Sequence, residues 1–150
     1  MTLSVQLAIA TALVAITVLV HLVGLAILLA ILRRHRHVSG RIQSALLNSL
    51  AILLAAFGLF GLHSVEIWTW AGVYQAIGAF PSFENALYFS ISTYVTVGYG
   101  DIVLPPGSRI IGAIEAASGI ILIGWSTAFF FSIVDRLKLL ERNLEVEHSR

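Results

Sequence analysis

The chain has 150 residues, 58% of them hydrophobic and 11% charged, with a mean hydropathy of +0.92, whereas soluble domains carry about 25% charged residues. That is the composition of a membrane protein, and a formal net charge of +1 gives no bulk attraction to nucleic acid or acidic partners, so basic residues matter through their placement. The absence of cysteine excludes disulfides, thiol catalysis and thiolate metal sites.

The first apolar segment, residues 3–32, carries no charge. As a helix it reaches about 45 Å against a hydrocarbon core of about 30 Å, so it spans with tilt or overhang. Its basic residues follow the apolar run, opposite to a signal peptide, which predicts a retained helix with its N-terminus outside. His21 lies mid-span, where a neutral imidazole bonded to a neighbouring helix is the expected state and a proton sensor the alternative. The loop RRHRHVSGR, 33–41, then brings Arg33, Arg34, Arg36 and Arg41 together with His35 and His37. Four arginines on one short loop fit attraction to anionic lipid, with pH sensing by the histidines the rival reading.

A second apolar segment, 42–62, continues as a wetter helix through His63, Glu66, Trp68, Trp70 and Tyr74. Its aromatics suit a membrane–water interface, and His63 and Glu66 are spaced to pair on one helix face. Pro81 and Ser82 then mark a helix start, with Glu84 in the first turn where the dipole favours an anion. A helix over residues 83–94 is about 18 Å long, half a membrane, so it is predicted to be re-entrant. The irregular TVGYGD that follows, 96–101, must then lie at membrane depth, which backbone tolerates only where it lines a water-filled path or is buried in protein. The third span covers 110–134 and includes Glu115, which must face protein or water.

Orientation follows from the basic residues. Arg33 to Arg41 and the tail with Arg136, Lys138, Arg142 and Arg150 flank the second and third spans on one side, while the intervening stretch holds only Arg109. The positive-inside rule makes the basic loop and C-terminus cytoplasmic. The arginines are bunched at a helix end rather than spaced within a span, so intrinsic voltage sensing is not expected. Ile133, Leu137, Leu140 and Leu144 form a short stripe that either bundles several tails or marks one amphipathic helix. No cluster of nucleophile, base and metal ligands suggests an enzyme.

The TVGYGD hexapeptide has a backbone explanation. Successive carbonyls point to one side only if neighbouring residues alternate between right- and left-handed dihedrals, and Gly98 and Gly100 supply the left-handed ones without a Cβ penalty. Val97 and Tyr99 are then directed into the packing behind the strand.

ALYFSISTYVTVGYGD, 86–101, resembles the pore helix and selectivity filter of the tetrameric potassium channels of the two-span, bacterial-like type, here with one additional N-terminal helix. The resemblance covers about a third of the chain, 81–134, and its hexapeptide is highly specific. It implies an all-α membrane protein, three transmembrane helices plus a re-entrant pore helix and filter loop, with four chains around one pore in the plasma (inner) membrane. It implies potassium coordination by Thr96, Val97, Gly98 and Tyr99, with Gly100 completing the loop, and no cofactor beyond the permeant ion. It also implies that Asp101 braces the filter from behind, with Tyr88 its preferred partner and Ser92 and Thr93 as further support. Glu115 is either close to Ser92 or Thr93 behind the filter or a hydrogen-bonded structural residue.

Two departures stand out: Val95 replaces a second threonine that many members carry, and Ser92 replaces an acid that some members pair with the aspartate. Helical spacing offers Ala116, Ile120, Ile123 and Thr127 as the cavity lining, on a face with Gly119. Gly119 and Gly124 sit where the family often has flexible glycines, and Phe131 is placed to narrow the inner mouth. The chain divides into an accessory helix 1–32, a basic loop 33–41, a pore domain 42–134 and a tail 135–150. A non-conducting subunit with a channel-like fold and a weakly selective cation channel remain the alternatives.

Overall fold

The computed structural model describes the backbone of residues 1–34 and 41–148 and the side chains of 1–33 and 46–136. His35, Arg36 and His37, the side chains of Arg34 and Arg41, and the tail stripe Leu137, Leu140 and Leu144 lie outside the described side chains. The described chain is helical: α1 (Leu3–Arg34), α2 (Arg41–Ala76), α3 (Phe83–Tyr94), a 3-10 turn (Pro106–Ser108) and α4 (Arg109–His148). Three stretches are long and apolar enough to cross a membrane, Leu3–Arg33, Leu46–Ala76 and Pro106–Arg136. α3, with 12 residues, is about 18 Å long and does not span.

The joints are set by local chemistry. Gly78 ends α2 with φ of 67°; its N–H bonds to the Gln75 carbonyl and that of Ala79 to the Tyr74 carbonyl. This paired closure places a left-handed residue just past the helix, a conformation that glycine adopts without a Cβ clash. Ser82 caps α3 by accepting from the Asn85 N–H at 3.2 Å. Pro105 and Pro106 introduce the turn that leads into α4, where a fixed φ suits a helix start.

α1 runs antiparallel to α2 and alongside α4 in the same direction. Gly24 makes room for the end of Leu62, and Gly58 makes room for Leu28, where an added Cβ would come within 2.8 Å of a Leu28 methyl. Such reciprocal notches let helices approach closely in lipid, where association depends on packing rather than on a hydrophobic drive. At the other face, Gln6 Oε1 accepts from the Ile110 N–H at 3.3 Å. α3 is held between α2 and α4 by a core of Trp70, Ala71, Tyr74, Phe80, Ala86, Tyr94 and Ile111. Edge-on rings fix its first turns, with Tyr74 5.4 Å from Phe89 and 6.2 Å from Phe80, a geometry favoured by the ring quadrupoles. The outer surface of α2 shows an unbroken apolar stripe, Leu46, Leu50, Leu53, Phe57 and Phe60, as a membrane helix presents to lipid or to another apolar surface.

Candidate functional site

The site is built where α3 stops. The N–H of Val95 returns to the Ile91 carbonyl at 3.3 Å, closing the helix, and the next bonds step outward from it: Thr96 N–H to the Thr93 carbonyl at 2.9 Å and Gly98 N–H to the Ser92 carbonyl at 3.0 Å. From there the backbone alternates, with positive φ at Thr96 (61°), Gly98 (54°) and Gly100 (78°). The two glycines match the sequence reading. Thr96 extends the alternation by one step, and a β-branched residue there is a true outlier, since its Cβ crowds the carbonyl at a cost of about 1–2 kcal/mol. Nothing in a threonine's identity signals that conformation.

At the outer end the Tyr88 hydroxyl donates to Asp101 Oδ2 at 2.7 Å, and Asp101 Oδ1 accepts from the Ile102 N–H at 3.0 Å. Hydrogen bonding to Tyr88 holds the Asp101 carboxyl below its ordinary pKa of 3.8, because a donor favours the ionised form. Ser92 Oγ turns back to the Phe89 carbonyl at 3.0 Å, so its side chain bonds α3 itself and its carbonyl serves the strand that follows, at Gly98. Thr93 contributes through its carbonyl as well.

Glu115 has Ser90 and Tyr74 as its side-chain partners rather than Ser92 or Thr93. It accepts from Ser90 Oγ at 2.5 Å and from the Tyr74 hydroxyl at 2.6 Å, joining α4 to α3 and α2 with no exposed surface. Residues two apart on a helix point about 200° apart, so the face that presents Ser90 to α4 carries Ser92 elsewhere.

A second buried carboxylate lies at the C-terminal end of α3. Glu66 Oε1 pairs with His21 Nδ1 at 2.8 Å, and Glu66 Oε2 pairs with His63 Nδ1 at 3.0 Å and accepts a very short bond from the Tyr94 hydroxyl. His63 Nδ1 also lies 3.0 Å from that hydroxyl, and His21 Nε2 lies 3.5 Å from Ser126 Oγ. One donor atom each from His21, His63 and Glu66 lie within 4.8 Å of one another, close enough to share a divalent ion of the kind bound by two histidines and a glutamate. Hydrogen bonds already account for these atoms. The paired spacing of His63 and Glu66 is visible in the sequence; the partners supplied by α1 and α3 are not.

On α4 the expected lining divides. Ile120, Thr127 and Phe131 are exposed, together with Gly124, whereas Ala116 and Ile123 are half-buried against neighbouring helices. Gly119 is buried, and a Cβ there would strike the Tyr94 carbonyl oxygen, while nothing lies within 4 Å of Gly124. α4 continues as one helix through both glycines. Because Gly119 is the seat for Tyr94, the open face is turned away from it, toward Ile120 and Gly124.

A half-membrane helix, a strand of alternating handedness and two flanking spans are the parts of a pore unit. A family profile described as "Ion channel" matches residues 49–136, which takes in most of α2, all of α3, the strand and the spanning part of α4. The chain belongs to the ion channel family. Membership implies an oligomer that passes ions across a membrane. α1 lies outside the matched residues. No curated protein matches the chain, and no solved structure does.

Proposed function

We propose that this ion channel subunit forms a homotetrameric, potassium-selective pore, with Thr96, Val97, Gly98 and Tyr99 lending carbonyl oxygens to the permeant ion and Thr96 its hydroxyl. The observation that carries the reading is the alternation of positive φ at Thr96, Gly98 and Gly100 directly after a half-membrane helix. Alternating handedness is what lets successive carbonyls face one axis and replace a cation's water shell. Four α3 helices with their C-terminal ends converging on that axis contribute about half a negative charge each, which offsets the cost of a cation at mid-membrane. Gly100 completes the loop, and Asp101 with Tyr88 braces it from outside.

The remaining assignments follow the same frame. The N-terminus faces outside and the basic loop with Arg33, Arg34, Arg36 and Arg41 faces the cytoplasm of the plasma (inner) membrane, against anionic lipid. Ala116, Ile120, Ile123 and Thr127 line the cavity, with Phe131 at the inner mouth. No enzymatic step and no cofactor is assigned.

The test is cation flux into liposomes carrying the purified protein, under a potassium gradient and then a sodium gradient, with Gly98→Ala as the control. Uptake under potassium alone, abolished by Gly98→Ala, is the expected result. Equal uptake of both cations would replace the potassium reading with a weakly selective pore, for which Val95 at the base of the filter is the first residue to change. Absence of flux in intact oligomers would favour a non-conducting subunit.

A further inference from the structure

His21 stands alone among the ionisable side chains described in α1 as a fully buried one, and it spends its Nδ1 on Glu66. Glu66 in turn receives the hydroxyl of Tyr94, the last residue of α3. The backbone of that same residue touches α4 at Gly119, where no Cβ fits. Immediately before it in the chain, the Ser92 and Thr93 carbonyls hold the Gly98 and Thr96 N–H groups. Hydrogen bonds therefore run from the accessory helix to the Tyr94 side chain, and the α3 backbone carries the link on to the Ser92 and Thr93 carbonyls at the base of the filter strand.

We propose that His21 is a positioning residue for ion conduction: by holding Glu66, it fixes Tyr94 and with it the end of the pore helix, so that α1 is a working part of the pore. The inference rests on the filter reading above. Buried in a membrane span, the Glu66 carboxylate keeps every donor it has. His21 is the partner of Oε1, whereas Oε2 has two, His63 and Tyr94. Loss of the His21 donor leaves Oε1 to compete for the donors on Oε2, and Tyr94 is the one attached to the filter. Three contacts hold the imidazole in this pose: Ser126 Oγ at its Nε2, the His63 ring at 5.5 Å and the Trp125 ring at 6.3 Å. A histidine used only to glue α1 to α2 has no reason to meet α4 as well and to bond the one carboxylate that receives the Tyr94 hydroxyl.

The experiment compares wild type, His21→Leu and His21→Asn as intact oligomers in liposomes, reading total cation flux per oligomer and the potassium-to-sodium ratio. Asn places an N–H near the Nδ1 position; Leu offers none. The expected result is a flux reduced about tenfold in His21→Leu, within the range of coupling between distant sites, a lower ion ratio, and recovery of both in His21→Asn. Wild-type flux and ratio in intact His21→Leu oligomers would overturn the inference. If His21→Leu does not assemble, Tyr94→Phe, which leaves the α1 contact in place, carries the test: reduced flux supports the coupling and unchanged flux overturns it. Equal potassium and sodium flux in wild type overturns the potassium reading alone, since a fall in total flux in His21→Leu still marks the coupling.

Discussion

Ser90 and Tyr94, on the back of α3, have no exposed surface and end on the carboxylates of Glu115 and Glu66. A few residues further on, Val97 and Tyr99 are 52% and 73% exposed, in a segment that the backbone reading directs into packing. The difference is one of partners. One chain contains every group needed to satisfy the back of the pore helix, so that half is complete in a single copy. The filter strand has its local bonds to Ser92 and Thr93 but not the packing for its large side chains. Large side chains left in the open at a strained strand fit the oligomer that family membership implies, in which other subunits supply the missing surface. The front is thus a shared structure and the back a private one, and substitutions on the two sides are expected to fail differently.

The front is most sensitive to Gly98→Ala. A Cβ at φ of 54° costs about 1–2 kcal/mol, and in the proposed ring of four copies the costs would fall on one filter, on the order of 4–8 kcal/mol in total. Potassium flux is expected to be lost while the thermal midpoint of the subunit's helices barely changes. A large drop in that midpoint would show that front and back are not separable.

Glu115→Leu tests the back. It leaves the Tyr74 hydroxyl without its acceptor, at about 1–3 kcal/mol, leaves the Ser90 hydroxyl only the Ile67 carbonyl at 3.0 Å, and adds an apolar side chain where two polar ones converge. The expected outcome is a thermal midpoint lowered by several degrees and a reduced yield of folded protein. Glu115→Gln retains an acceptor and a group that a hydroxyl can bond, so it is expected to lose about half as much or less. Equal losses in the two variants would mean that the carboxylate's charge, rather than its hydrogen bonds, holds α2, α3 and α4 together.

Where front and back meet, two glycines on one helix separate packing from bending. Gly119→Ala forces a Cβ against the Tyr94 carbonyl, backbone that cannot rotate away, and overpacking of this kind costs about 1–3 kcal/mol. Gly124→Ala meets nothing within 4 Å in the single chain, and alanine is favoured over glycine in a helix by about 1 kcal/mol. Flux is therefore expected to fall in Gly119→Ala and to hold in Gly124→Ala. The reverse result would assign Gly124 to a moving gate and leave Gly119 as a tolerant contact.

What the sequence made legible on each side follows from how far apart the interacting residues are. The limits of α3 were readable because their signals are local: Pro81 and Ser82 open the helix, and the glycine-rich TVGYG marks the irregular segment beyond its end. The Tyr88 and Asp101 pair was readable through a resemblance whose motif includes both residues. The His21 to Glu66 bond joins positions 45 apart, and no periodicity or spacing relates them; only the docking of α1 brings them together. Glu115 was legible as a residue that must be buried with partners, since a charge in a span demands them, but the choice of Ser90 over Ser92 depends on the rotation of α3 against α4. The face of α4 around Gly119 is a related case. Gly119 was taken as part of an open surface, whereas a missing side chain serves here to admit a neighbour's carbonyl.

The smallest expected effect lies at the exposed outer rim, in Tyr88→Phe. Asp101 has its folded pKa depressed, so its contribution to stability is complete above the ordinary value of 3.8 and declines as pH falls below that through the lowered folded value. Removing the Tyr88 hydroxyl, the largest cause of the depression, is expected to move the Asp101 pKa up toward 3.8 and to leave stability near neutral pH almost unchanged, because exposed pairs are screened by water. Carboxyl chemical shifts followed by NMR during an acid titration of the detergent-solubilised protein measure that movement. A titration identical to wild type would mean that Asp101 finds another partner in the assembled pore, which would place the rim with the shared half of the molecule. An upward shift without loss of flux would place it with the private half, as a local bond that one chain completes by itself.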